Sequence, residues 1–145
     1  VLIHSMAVSD YTPVYMTGFD EVKASQDLTE FLDKKNQETK ISSKEDFQVL
    51  FLKKNPKIIS LVKEWNPSIH LIGFKLLVDV SREYLIQIAR ESLEKNKADI
   101  IVANDLTQIN AEQHIAYLVE KANFQTASCK QEIADLLLEK IQTYE

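Results

Sequence analysis

Residues 68–105, SIHLIGFKLLVDVSREYLIQIARESLEKNKADIIVAND, restrict the possible folds more than any other part of the chain. They read as one strand–helix–strand unit. Ile69, Leu71 and Ile72 make one compact apolar run, and Ile100, Ile101 and Val102 make another. Near-continuous β-branched runs of this kind suit parallel strands buried on both faces. Between them, Leu85, Ile88, Ala89, Ser92 and Leu93 recur at helical spacing, with Ser81 as N-cap, Glu83 in the first turn and Lys95 in the last. Each strand is expected to end in a polar signature, Gly73-Phe74-Lys75 and Ala103-Asn104-Asp105. Ligands of open α/β sheets sit outside the carboxyl ends of their strands. The expected fold class is therefore α/β, Rossmann-like, with a mostly parallel sheet flanked by helices.

Several function classes fall away on composition. Seventeen basic and 22 acidic side chains leave a net charge of −5 in 145 residues. No basic block is present to track a phosphate backbone, which argues against nucleic acid as a partner. No apolar run approaches the roughly 20 residues of a membrane span. The single cysteine, Cys129, excludes an internal disulfide and fits a cytoplasmic setting. His4, His70 and His114 follow no metal-ligand spacing, so no protein metal site is expected. No Ser–His–Asp order with a nucleophile elbow occurs either. Only Gly18 and Gly73 are glycines, too few for a phosphate-cradling loop. With VLIH at the start, this leads us to expect the later part of a larger domain whose first βαβ units are absent.

Taken in order, residues 1–3 form a strand candidate and residues 4–11 the loop at its carboxyl end. Asp10 either binds a hydroxyl or amide or caps the turn before Pro13. Residues 12–25 show no clean period and read as a loop or flap. Asp27 opens a short helix with Leu28, Phe31 and Leu32 inward. Residues 40–43 and 47–52 are expected to pair as a ribbon. Lys40 there is either a solvated strand end or a phosphate contact. Asn55-Pro56 reads as N-cap and first helical residue of a helix through Trp65, burying Ile58, Leu61, Val62 and Trp65. Its amino end either meets an anion or is merely capped. Residues 113–120 and 123–126 are strands, and Ser128 with Gln131 makes a capping box for a last helix with Ile133, Ala134, Leu137, Leu138 and Ile141 inward. No internal repeat or interdomain linker is visible. These residues alone describe an incomplete α/β domain that binds a nucleotide or cofactor.

Four blocks make the pattern more specific: MAVSDY at residues 6–11, KISS at 40–43 with NPKII at 55–59, GFKLLVD at 73–79 and ADIIVAND at 98–105. In this order they span nearly the whole chain, which resembles the phosphopantothenate–cysteine ligases of coenzyme A biosynthesis, including the stand-alone and eukaryotic types. No flavin-binding decarboxylase segment of the kind fused to many bacterial versions is visible. The resemblance implies a reaction in which CTP, or ATP, with Mg2+ activates the carboxylate of 4'-phosphopantothenate and releases pyrophosphate. The amine of cysteine then attacks the acyl-nucleotide. Positioning and charge neutralisation suffice for such chemistry, and no protein nucleophile is needed.

Carried over by position, the resemblance places His4, Ser5, Met6 and Ala7 against nucleotide or pantothenate, with Asp10 as a polar anchor. It sends Lys40 to the triphosphate and Pro56, Lys57, Ile58 and Ile59 to base or phosphate. Phe74 lies beside the base, and Asn104 is a polar contact in the same pocket. It also implies a cytoplasmic homodimer formed through the flap and ribbon of residues 12–52, each partner completing the other's site. The remaining catalytic parts, a Gly-rich loop and an asparagine, are expected upstream of Val1, so that residues 1–145 form the larger, C-terminal part of one ligase domain. Two departures stand out. The lysines that fused bacterial enzymes carry on the central helix are here Ser92 and Asn96, while Lys95 and Lys97 are offset by one residue, about 100° around a helix. This leaves CTP and ATP open. Met6 replaces a smaller residue and narrows the pocket. The alternatives are a fragment that only binds nucleotide and dimerises, and another Rossmann-like protein that binds nicotinamide or flavin.

Overall fold

The computed structural model describes residues 1–37 and 44–144, which fall into two compact units. Val1–Ala7 with Ile58–Glu145 make the larger, and Val8–Lys57 the smaller.

The larger unit is a five-stranded sheet in the order β1-β4-β5-β6-β7. Strands β1 (Leu2–His4), β4 (Leu71–Leu77) and β5 (Ile100–Ile109) are parallel. β6 (His114–Val119) and β7 (Phe124–Ala127) add an antiparallel meander. The sheet is thus mixed, with a parallel core, and the expected α/β class holds. Both faces are covered. Leu71, Ile101, Ala103, Tyr117 and Val119 pack under α2 (Ile58–Trp65) and α3 (Arg82–Asn96), around Val62, Leu85, Ile86, Ala89 and Leu93. Ile72, Ile100, Val102, Ala116 and Leu118 point the other way, onto Ile133 and Leu137 of α4 (Lys130–Gln142). Alternation along each strand explains why both runs are apolar throughout.

α3 forms as its sequence predicts. Ser81 accepts the Tyr84 N–H, and Lys97 closes the helix in the left-handed region at φ 52°. Gly73 lies under Ile59 of α2, and a Cβ there would stand 2.7 Å from Ile59 Cδ1 and 2.8 Å from Ile101 Cδ1. At the amino ends of β4 and β5, Asp99 accepts the Leu71 N–H at 2.7 Å and the Lys63 ammonium at 3.1 Å. Burial pushes its carboxyl up, but the Leu71 N–H, Lys63 and His70 outweigh this and hold it below the usual range. No helix among the described residues is long and apolar enough to cross a membrane.

The smaller unit departs most from expectation. The segment read as a loop or flap contains strand β2 (Tyr11–Gly18) and helix α1 (Phe19–Ala24). β2 pairs antiparallel with β3 (Gln48–Lys54), a partnership absent from the sequence reading; Ile41, Ser42 and Ser43 lie outside the described residues. Pro13 sits where the register slips, a position that tolerates a missing N–H. Tyr15, Phe31 and Phe51 stack into a small aromatic core, the last two rings 5.1 Å apart. Asp27 caps a 3-10 turn, Leu28–Phe31, as expected. Only Phe31 of its three predicted inward residues is buried, because a single 3-10 turn presents one residue to the core.

Three further expectations need correction. Asn55 does not cap α2. It donates its backbone N–H to the Asp10 carbonyl and its side-chain amide to the Ser9 carbonyl, so the helix begins only at Ile58. Trp65, expected inward, is 68% exposed at the last residue of α2. Ser128 pairs with Glu132 rather than Gln131, and Leu136 packs on the core while Leu138 is exposed.

Candidate functional site

Towards the carboxyl ends of the parallel strands the larger unit holds a polar network centred on Asp105. The two signatures lie within strands rather than at their ends, because β4 runs on to Leu77 and β5 to Ile109. Beyond Leu77, residues 78–81 turn the chain into α3. This turn is fastened from β5. Asp105, 2% exposed, accepts the Asp79 N–H at 3.0 Å and the Thr107 N–H and hydroxyl at 2.8 and 2.7 Å on Oδ1, and the Val80 N–H at 2.8 Å on Oδ2. Led by the Val80 N–H and the Thr107 hydroxyl, these donors lower its carboxyl to about 2. Asp79 has φ 54°, a conformation uncommon for a side-chain-bearing residue. The Asp105 network is what the sequence reading missed. Its signal was an aspartate closing a run of buried β-branched residues, which requires hydrogen-bond donors close by.

The predicted residues fall into distinct places. His4 is aligned with Gly73 across β1 and β4, and strand alternation puts it on the face of Leu2, where Ile59 closes over Gly73. Phe74 and Asn104 follow Ile72 and Val102 at two-residue steps, which sets them on the opposite face. Phe74 is 37% exposed; Asn104 is 5% exposed and donates its amide to the Ile115 carbonyl at 2.9 Å. Ser5, Met6 and Ala7 are exposed, Met6 at 71%. In the smaller unit the structure joins two candidates, Asp10 and Lys57, in an ion pair at 3.3 Å, beside Pro56. Lys40 lies outside the described residues.

Of the two lysine replacements, Asn96 is committed to the fold. Its carbonyl oxygen accepts the Ser60 hydroxyl at 2.7 Å and its nitrogen donates to the Ser92 carbonyl, so it stitches α2 to α3. No three His, Cys, Asp or Glu side chains among the described residues converge to hold a metal ion.

Residues 22–144 match the family described as the DNA/pantothenate metabolism flavoprotein C-terminal domain. The chain belongs to this family. Two relatives of this flavoprotein C-terminal domain are coenzyme A biosynthesis bifunctional proteins CoaBC. That of Thermococcus kodakarensis is 34% identical over 126 residues, covering 86% of this chain and 31% of that protein. That of Methanocaldococcus jannaschii is 31% identical over 145 residues, covering 98% and 30%. The chain thus spans under a third of the curated relatives it matches. The crystal structure of the DNA/pantothenate metabolism flavoprotein from Streptococcus pneumoniae superposes with a TM-score of 0.93 at 70% identity, over 99% of this chain and 62% of that one. A Cab2 variant in complex with phosphopantothenate-cysteine, 15% identical, shares the fold alone, with a TM-score of 0.54 over 67% of this chain.

Proposed function

We propose that this flavoprotein C-terminal domain forms, with the rest of its natural chain, a phosphopantothenate–cysteine ligase of coenzyme A biosynthesis. The observation that carries the reading is the match to CoaBC over 86% of the chain. The family match over residues 22–144 and the second CoaBC relative support the same choice of reaction. In the first step the 4'-phosphopantothenate carboxylate attacks the α-phosphorus of CTP or ATP, and pyrophosphate leaves. In the second the cysteine amine attacks the acyl carbon, the nucleoside monophosphate leaves with the bonding pair, and the ammonium proton passes to solvent. Magnesium, where it takes part, neutralises the phosphate charge and needs few protein ligands.

In this reading the carboxyl edge of β1, β4 and β5 receives the nucleotide. Residues 4–7 line its path, Phe74 lies by the base, and Asn104 offers its side-chain oxygen, the amide being held by Ile115. Within the smaller unit, Lys57, held by Asp10 at 3.3 Å, is the side chain that this reading assigns to phosphate. We further infer a cytoplasmic location, as the resemblance to these ligases implies, and a homodimer made through the ribbon, because Leu50 and Leu52 leave an apolar ribbon face about half exposed, at 48% and 52%. Both units belong to one ligase domain, as a family match running through residues 22–144 suggests.

The test is pyrophosphate release by the natural full-length protein with 4'-phosphopantothenate, cysteine and either CTP or ATP. Release that requires phosphopantothenate is expected, and the faster nucleotide identifies the natural one. Silence with both from a folded protein refutes the ligase.

A further inference from the structure

The geometry points to Asp105 as a positioning residue: its buried carboxylate holds the turn of residues 78–81 in the one shape that lets the carboxyl edge of β4 and β5 take the nucleotide. The proposal rests on the ligase reading and adds a residue to it. Three observations carry it. Both Asp105 oxygens accept from neutral donors, the N–H groups of Asp79 and Val80 in a neighbouring connection and the N–H and hydroxyl of Thr107 in its own strand. The connection it grips contains Asp79 at φ 54°, a conformation that persists only when its surroundings enforce it. The same turn delivers Ser81 to its capping position on α3. One side chain thus sets the end of β4, the entry of α3 and the course of β5 together, at the edge where open α/β sheets bind ligands.

Asp105→Asn tests this with little change of shape. An asparagine has only one acceptor oxygen, so whichever way it lies, its NH2 faces either the Val80 N–H or the N–H groups of Asp79 and Thr107. In the natural full-length protein, well below its melting temperature, D105N is expected to raise the nucleotide KM at least about tenfold while changing kcat little. Amide exchange at Val80 is expected to accelerate. Adding Asp79→Gly should restore most of the KM, because glycine adopts φ near 54° without help.

A lowered melting temperature with unchanged KM makes Asp105 structural only and overturns the proposal. So does unchanged exchange at Val80. A wild-type protein that releases no pyrophosphate refutes the ligase and this role together, whereas an active wild type with an unaltered D105N KM refutes this role alone. Should D105N fail to fold, Thr107→Val removes a single hydroxyl donor to the same carboxylate, and the same readouts then decide with smaller shifts.

Discussion

Asp105 ties local chemistry to a pH dependence that can be measured directly. Its folded pKa of about 2 lies below the ordinary value of 3.8. Its contribution to stability is therefore complete above pH 3.8 and is lost as the pH falls from there towards about 2. Circular dichroism during acid titration should show wild type more stable than D105N above that window and the two converging below it. Curves that stay parallel through the window would remove Asp105 from the acid transition. Gly73 makes the opposite demand, for space rather than for charge. With Ile59 and Ile101 both under 3 Å from a new Cβ, Gly73→Ala must push the buried Ile101 and the partly buried Ile59 aside. A loss of about 1–3 kcal/mol is expected in urea unfolding. A neutral result would mean that α2 shifts freely over the sheet. Neither demand is visible in the residue type alone. Gly73 was legible as a signature glycine, but the reason for it is a helix that crosses overhead.

At the scale of elements, α3 was legible because its signals are local. Ser81 and the Tyr84 N–H are three residues apart, and capping reaches no further. Ser81→Ala should cost about 1 kcal/mol, measured by urea unfolding. α4 was legible as a helix but not in detail. Glu132, one residue beyond the expected Gln131, takes both donors of Ser128. Leu137, 7% exposed under β6 and β7, carries that packing, and Leu137→Ala should cost about 2–5 kcal/mol. Leu138→Ala, on the exposed side, should change stability by under about 0.5 kcal/mol, so the pair of variants tests the helix's rotation. α2 was misplaced at its start because Asn55 had two uses open to it, as a cap or as a clasp on the Ser9 and Asp10 carbonyls. Which one prevails depends on where residues far back in the chain come to lie.

For the molecule as a whole, the ribbon carries the remaining prediction. If its exposed face joins two copies, Leu50→Lys with Leu52→Lys should convert a dimer to a monomer in light scattering, with the larger unit's fold intact by circular dichroism. A wild-type monomer at micromolar concentration would refute the proposed assembly. The sequence by itself determined the parallel core, the central helix and the family, since apolar runs, caps and ordered motif blocks depend on neighbours within a few residues. Tertiary structure decided that β2 exists at all. A strand holding a proline and ending at a glycine has no local case for itself, and forms because Tyr15 finds Phe31 and Phe51. It likewise decided that Phe74 and Asn104 face away from His4, and that Asp105 clasps a turn 25 residues earlier. Those contacts join residues far apart along the chain, and their energy exists only once the fold has brought them together.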